Sequence, residues 1–326
     1  MSTTTPQTAE EAESLLPHFT LTRLLNQDQA GRRITLLGTI NSEPALLTAE
    51  RAAFATDNAH LTTFSTSLTH IQNLGLNDIY SWYLANTSHN SNNATNTQPP
   101  DLKLNLIYPC TDAHIKKYSA QPLRIVTETP SIYASYIHPF MRLKREQGRL
   151  NWVFNILEGR TEQEDVIFRH SDPETGFLLL PDLNWDRKTL GSLHLLGLVE
   201  RRDIWSVRDL KKKHVAWLKG IRERLVQETT RLYGVEEDQV KLYVHYQPTY
   251  YHFHIHIVHV ALEAGATQAT GKALGLDNII SQLETMAGDD EAGMTDVSLT
   301  YHLGEASELW EKIYLPLKEK REVRID

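Results

Sequence analysis

Residues 241–260, KLYVHYQPTYYHFHIHIVHV, hold five of the fifteen histidines, and three of these, His252, His254 and His256, fall on alternate positions. Successive side chains of a strand point to opposite faces, so these three imidazoles share one face while Phe253, Ile255 and Ile257 share the other. The apolar face can seal the strand onto a core. The other face is then a row of rings able to carry protons, ligate a metal or attack an electrophile, with His245 brought alongside across the turn at Pro248.

The rest of the chain bounds what that row can serve. A length of 326 residues suggests two domains. No apolar run is long enough to cross a bilayer, and MSTTTPQTAEEAESLLP lacks the basic and apolar regions of a secretory signal, so an intracellular protein is expected. The single cysteine, Cys110, excludes an internal disulfide and a cysteine-based zinc site. A formal charge of -8 argues against binding long duplexes by phosphate neutralisation, although a nucleotide needs only a local basic pocket.

Taken in order, residues 1–14 have little to bury and are expected to be a disordered tail. Strand-like runs at 19–25, 33–40 and 45–48 suggest a small antiparallel sheet, and 101–108 a half-buried strand, with the Asn/Ser/Thr-rich stretch 85–100 as a flexible loop. Thr111 and Asp112 can cap a short helix through Tyr118. Pro122, Pro130 and Pro139 punctuate 119–150, which reads as a hinge with a linking helix. Beyond it NWVFNIL (151–157), DVIFR (165–169), GFLLLPD (176–182) and HLLGLVER (194–201) read as strands. Asp209 is expected to cap a long helix with Val215, Leu218, Ile221, Leu225 and Leu232 at helical spacing, ended by Gly234. A helix near 276–286, a strand at 297–302 and a terminal amphipathic helix complete the chain.

Three kinds of chemistry fit the histidine row. Alternate histidines can simply face water. A zinc ion can bridge His252 and His254, about 6.6 Å apart along a strand, but His252 and His256 lie about 13 Å apart, so a third ligand must come from elsewhere. Covalent catalysis at phosphorus uses the row most fully: a neutral imidazole attacks, its neighbours disfavour its protonation, and flanking rings stabilise phosphoryl oxygens without a metal.

His252-Phe253-His254-Ile255-His256-Ile257-Val258 resembles the signature of the histidine-triad nucleotide hydrolases, and VHYQPTYYHFHIHI is similar to their scavenger mRNA decapping branch. LNDIYSWY, LIYPCTDAHIKKY, NWVFNILEG, SDPETGFLLLPDLNW and IWSVRDL follow the same family in the same order over most of the chain. The resemblance implies an α+β protein. Residues 15–118 would form a domain-swapped N-terminal dimerisation and lid domain with a small antiparallel sheet and helices, 119–150 the hinge and linking helix, and 151–326 a histidine-triad catalytic domain with an antiparallel sheet. It implies metal-independent hydrolysis, with no cofactor, of 7-methylguanosine cap dinucleotides and short capped RNA left by 3′-to-5′ decay, through a phosphohistidine, in a homodimer of the cytoplasm and nucleus with no membrane role. Partners in 5′-to-3′ RNA decay belong to the same expectation.

By position the resemblance makes His254 the nucleophile, His252 an orienting group and His256 a contact to phosphate oxygens, with His245, Thr249 and Tyr250 on the phosphate side. Trp152 would stack on the methylated base and Leu183 cover its other face, Glu162 accept the guanine N1 and N2 hydrogens, Asp182 lie near the ribose, and Asn77 reach the cap from the lid. The family commonly has Lys where this chain has Asn184, with Arg187 and Lys188 nearby, and often Tyr where it has His194. Loss of that cation leaves open a weakly active paralogue that binds caps and regulates decay.

Overall fold

The computed structural model describes residues 8–28, 32–77, 79–87, 100–112, 115, 118–182, 185 and 187–325. The chain falls into two compact units, residues 51–121 and residues 1–50 with 122–326. Residues 1–7 of the expected disordered tail lie outside the described residues. Ala9–Leu15 is a helix, with Thr8 and Glu11 forming a reciprocal cap that offsets the small apolar content of the segment.

The three short runs near the N-terminus form an antiparallel meander of β1 (Thr20–Asp28), β2 (Arg33–Ile40) and β3 (Glu43–Glu50). The unit 51–121 holds a separate antiparallel sheet of β4 (Leu68–Asn77), β5 (Tyr80–Thr87) and β6 (Leu102–Ile107). Most of the predicted loop 85–100 lies outside the described residues, and its first three residues end β5. Of the short helix predicted from Thr111, only Thr111, Asp112, Ile115 and Tyr118 are described.

The segment 119–150 carries β7 (Leu123–Glu128), paired with the late strand Leu299–Gly304, then a continuous helical stretch through Pro130–Ile132, Tyr133–Ile137 and His138–Glu146. Tyr133, Ile137 and Phe140 of this stretch are buried in the main core. Beyond it, β8 (Phe168–His170), β9 (Phe177–Pro181), β10 (His194–Val199), β11 (Val240–His245), β12 (His254–His259) and β13 (Ala273–Gly275) build a six-stranded sheet. Its order is β13-β11-β12-β10-β9-β8, and each neighbouring pair is antiparallel. Together with its helices this is the α+β architecture.

Three predicted elements change. NWVFNIL is a helix, Asn151–Leu157, not a strand. Its Trp, Val, Phe and Ile suit either state by composition, but Val153, Ile156 and Leu157 are the buried residues, and that is helical spacing. Asp209 does not cap the long helix. Its carboxylate accepts from the backbone N–H groups of Trp205 (2.8 Å) and Ser206 (3.0 Å) in its own short turn, and the helix begins at Val215 and ends at Tyr233, where Gly234 takes the left-handed conformation. The histidine strand begins at His254, so His252 and Phe253 precede it.

Strand alternation divides the sheet's surroundings. Phe177, Leu179, Leu195, Val199, Ile255 and Ile257 face the main core with Leu218, Ile221 and Leu225 of the long helix. Leu178, Leu180 and Leu198 form a second cluster with Val153, Ile156 and Leu157. His254 pairs with Leu198 across β12 and β10, and His256 with Leu196. The His254 and His256 imidazoles therefore lie on the sheet face covered by helix Asn151–Leu157.

Candidate active site

His254 and His256 are both buried, and His252, just ahead of the strand, is fully so. His254 Nδ1 donates to the His252 carbonyl at 2.7 Å. A neutral ring that donates from Nδ1 keeps its lone pair on Nε2. His252 in turn donates Nε2–H to the Val199 carbonyl at 2.7 Å, which fixes the residue whose backbone oxygen orients His254. Tyr250 stacks on the His254 ring at 4.2 Å between centroids and 18° between planes, closing one side of it.

His256 stacks on Tyr243 at 5.0 Å and lies 4.2 Å from His245, centroid to centroid. Its Nδ1 is 3.1 Å from His194 Nε2, and its Nε2 is buried with no hydrogen-bond partner among the described residues. His245 donates Nε2–H to the Thr267 carbonyl at 2.8 Å, so its lone pair is on Nδ1.

Burial is the main cause that keeps these rings neutral: it pushes His252 and His245 down to about 4 and His254 down to about 3. His256 is pushed lower still, by burial first and then by the neighbouring imidazoles and Lys272. A dry, neutral imidazole with a bare nitrogen is a nucleophile at neutral pH without any prior loss of a proton. The row is thus not solvent-facing.

Opposite the row, Trp152 projects from helix Asn151–Leu157 and is 47% exposed, out of the core to which its neighbours belong. Its ring meets the edge of Tyr250 at 4.9 Å. Asp182, just past β9, sets an oxygen 3.6 Å from His194 Nε2 and 4.0 Å from His256 Nδ1. Burial pushes the Tyr250 phenol well above its usual range, and the Asp182 and Glu162 carboxylates add to that push. Glu162 sits in a left-handed turn, φ 55°, just before the short turn Gln163–Asp165. Its own carboxyl is raised above the usual range by burial, then by Asp165 and Glu164.

Residues 14–121 match the family described as scavenger mRNA decapping enzyme (DcpS) N-terminal, and residues 151–271 match scavenger mRNA decapping enzyme C-term binding. The chain is 36% identical over 299 residues to a protein of Schizosaccharomyces pombe named m7GpppX diphosphatase, covering 92% of this chain and 95% of that one. Proteins of the same name from Ascaris suum and Homo sapiens are 36% and 32% identical, each over 82% of this chain and over 85% and 77% of their own lengths. The chain belongs to the scavenger mRNA decapping enzyme family.

Of the residues that the scavenger decapping resemblance singles out, the structure brings His245, His252, His254, His256, Tyr250, Trp152 and Asp182 around one face of the sheet, while Glu162 is exposed beyond helix Asn151–Leu157. Thr249 is exposed beside Tyr250, in the wall of a cavity also lined by Arg145 and Arg149. Leu183 and Asn184 lie outside the described residues. Asn77 ends β4 in the other unit, and its side chain lies outside them too.

Sequence reasoning missed Lys272. It stands just before β13 and donates Nζ to the Gln247 carbonyl at 2.6 Å. Its positive charge is felt at His245, His254 and His256, and burial pushes its own ammonium down. The only signal was a lone lysine shortly after a histidine strand. Arg187, one of the two cations noted near Asn184 beside Lys188, is paired with Asp165 at 2.7 Å.

Proposed function

We propose that this chain is an m7GpppX diphosphatase that cleaves 7-methylguanosine cap dinucleotides and short capped oligonucleotides through a phosphohistidine on His254. The observation that carries the reading is the fixed tautomer of His254: Nδ1–H is committed to the His252 carbonyl, leaving the Nε2 lone pair free in a dry cluster of neutral rings. In the first step Nε2 attacks the phosphorus next to 7-methylguanosine, an N–P bond forms, and the P–O bond to the leaving diphosphate breaks. Positive charge then builds on the imidazole, and the His252 carbonyl is already oriented to accept the hydrogen bond that stabilises it. Water displaces the histidine in the second step, releasing 7-methyl-GMP.

Lys272 supplies the positive charge that phosphate oxygens require and that Asn184 does not bring. His245, His256, Thr249 and Tyr250 complete the phosphate side. Trp152, free of the core, offers its face to the cationic methylated base, a contact of about 1–2 kcal/mol when desolvated. Glu162 accepts from the guanine edge, Leu183 covers the other base face and Asp182 lies near the ribose. The same reading takes the working form as a cytoplasmic and nuclear homodimer, its N-terminal part exchanged between protomers.

Hydrolysis of 7-methyl-GpppG followed by product analysis tests the assignment. The expected products are 7-methyl-GMP and GDP, formed in the presence of chelator. His254→Asn is expected to lower turnover by more than about 10³-fold while cap binding stays within about tenfold, because the ring is needed for bond formation and not for base recognition. Release of 7-methyl-GDP, or brisk turnover by the variant, overturns the reading.

A further inference from the structure

Strands β9, β10 and β12 are consecutive in the sheet, and at one end of them three metal-competent side chains meet: Asp182 just past β9, His194 opening β10 and His256 within β12. His194 Nε2 is 3.1 Å from His256 Nδ1, Asp182 Oδ2 is 3.6 Å from His194 Nε2, and the same oxygen is 4.0 Å from His256 Nδ1. The side chains are 10%, 8% and 16% exposed for His194, His256 and Asp182. Four ligands at about 2.0–2.1 Å from a tetrahedral ion lie about 3.3 Å apart, so this triangle needs to contract by about 0.3 Å along one edge and about 0.7 Å along another. Two imidazoles and one carboxylate, with a fourth position left for water, form a donor set that zinc and its neighbours accept.

We propose that Asp182, His194 and His256 bind one first-row divalent transition-metal ion, Zn²⁺ foremost, and that loading this site inhibits the enzyme by withdrawing Asp182 and His256 from substrate. The inhibitory part rests on the proposed function; the binding itself does not. Protons balance without release. One proton lies in the His194–His256 hydrogen bond, and binding requires both facing nitrogens bare, so the donating ring moves that proton to its far nitrogen. For His256 that nitrogen is Nε2, buried and without a partner among the described residues. Burial already keeps both rings neutral, so the ion displaces no proton from a charged imidazole. Lys272 opposes a second cation nearby, and the Asp182 carboxylate offsets it. A second cluster, His245, His254 and His256, also gathers three ligand atoms, but it lacks a carboxylate and includes the proposed nucleophile.

Titration of the metal-stripped full-length chain with Zn²⁺ against a chromophoric chelator, and with Co²⁺ by visible absorption, tests the site. The expected result is one ion per chain, with His194→Phe and Asp182→Asn each weakening binding by at least about tenfold and His245→Ala changing it by less than about twofold. Circular dichroism melting checks that each variant is folded, and the isosteric Asp182→Asn gives a second reading if His194→Phe is not. No saturable binding below about 100 µM overturns the proposal, as does binding that survives both His194→Phe and Asp182→Asn. Binding lost only in His245→Ala assigns the ion to the other cluster and overturns it too. Cap hydrolysis is expected to fall along the binding isotherm and to return with chelator, and undiminished turnover at saturation strikes out the inhibitory part.

Discussion

The proposed function asks for a neutral His254 and a charged Glu162, and the environment favours only the first of these states. Burial keeps the His254 ring uncharged, whereas the proposed role of Glu162, accepting two hydrogen bonds from a guanine edge, requires an ionised carboxylate, and desolvation with the nearby Asp165 and Glu164 works against that. Its folded value is raised above 4.5, so it is charged only above that raised value. Affinity for 7-methyl-GMP is therefore expected to fall as pH drops through a window above 4.5, and Glu162→Gln should weaken binding by about 10–100-fold and flatten this limb, since hydrogen bonds to charged groups contribute about 1.5–3 kcal/mol. Tryptophan fluorescence quenching from pH 5 to 8 reads both effects, and an unchanged profile in the variant removes Glu162 from the base edge. His254 and His256 were legible in the sequence because strand periodicity groups them, whereas His252, read onto the same strand, lies just ahead of it. The tautomers of His252 and His245 were not legible, because the acceptors that set them, the Val199 and Thr267 carbonyls, lie at positions that no local pattern ties to the row. Lys272 was illegible for the same reason.

At the scale of elements, the helix Asn151–Leu157 decides what Trp152 is for. In a strand, Trp152 would alternate with Val153 and compete for one face of a sheet. In the helix, Val153, Ile156 and Leu157 take the buried stripe and the indole is turned out beside Tyr250. Trp152→Ala is expected to raise the dissociation constant for the methylated nucleotide by about tenfold while changing stability by less than about 1 kcal/mol, since only the edge contact with Tyr250 is lost. Unmethylated GMP titrated beside 7-methyl-GMP checks the assignment: the preference for the methylated base should shrink in the variant. The long helix and β10 meet closely at Gly197, where an added Cβ would lie 2.9 Å from Leu225 Cδ2. Gly197 pairs with Ile255, between the two strand histidines, so this contact holds the helix against the strand that carries them. Gly197→Ala is expected to cost about 1–3 kcal/mol in urea unfolding, as overpacking does in a tight core, and a neutral result would mean that Leu225 has room to move. Helix 215–233 was legible from its period and its closing glycine. The short helix was not, because its dense apolar run masks the spacing of the three buried residues.

The whole molecule depends on a polar knot as well as on its apolar core. Glu128 and Arg208 are fully buried and joined by a 2.8 Å ion pair, yet neither looked special in sequence, where Glu128 merely lies within the proline-punctuated segment 119–150. Its partners are far away in the chain: Tyr301, 173 residues further on, donates to Glu128 Oε2 at 2.6 Å, Gln247 Nε2 donates to the same oxygen at 2.8 Å, and Tyr246 donates to Oε1. Arg208 also donates to the Met294 and Val297 carbonyls at 2.6 Å. Such a network is invisible to periodicity, because each member reads alone as a solvated charge or a core aromatic. It bears on the site through residues 246–251: Gln247 is held by Glu128, Tyr251 donates to Gln247, and Tyr250 between them stacks on His254. Removing one partner of a buried pair leaves the other charge uncompensated, so Glu128→Ala is expected to destabilise this unit by about 3–5 kcal/mol. Glu128→Gln keeps the volume and one acceptor oxygen and should cost less. If the knot also holds Tyr250, folded Glu128→Gln should show reduced turnover of 7-methyl-GpppG with little change in 7-methyl-GMP affinity, since Trp152 and Glu162 hang from other elements. Urea unfolding followed by circular dichroism, alongside steady-state kinetics below the transition, separates the two effects. A Glu128→Ala protein within about 1 kcal/mol of the parent would mean that water enters to solvate Arg208, and the pair would then not be what ties these segments together.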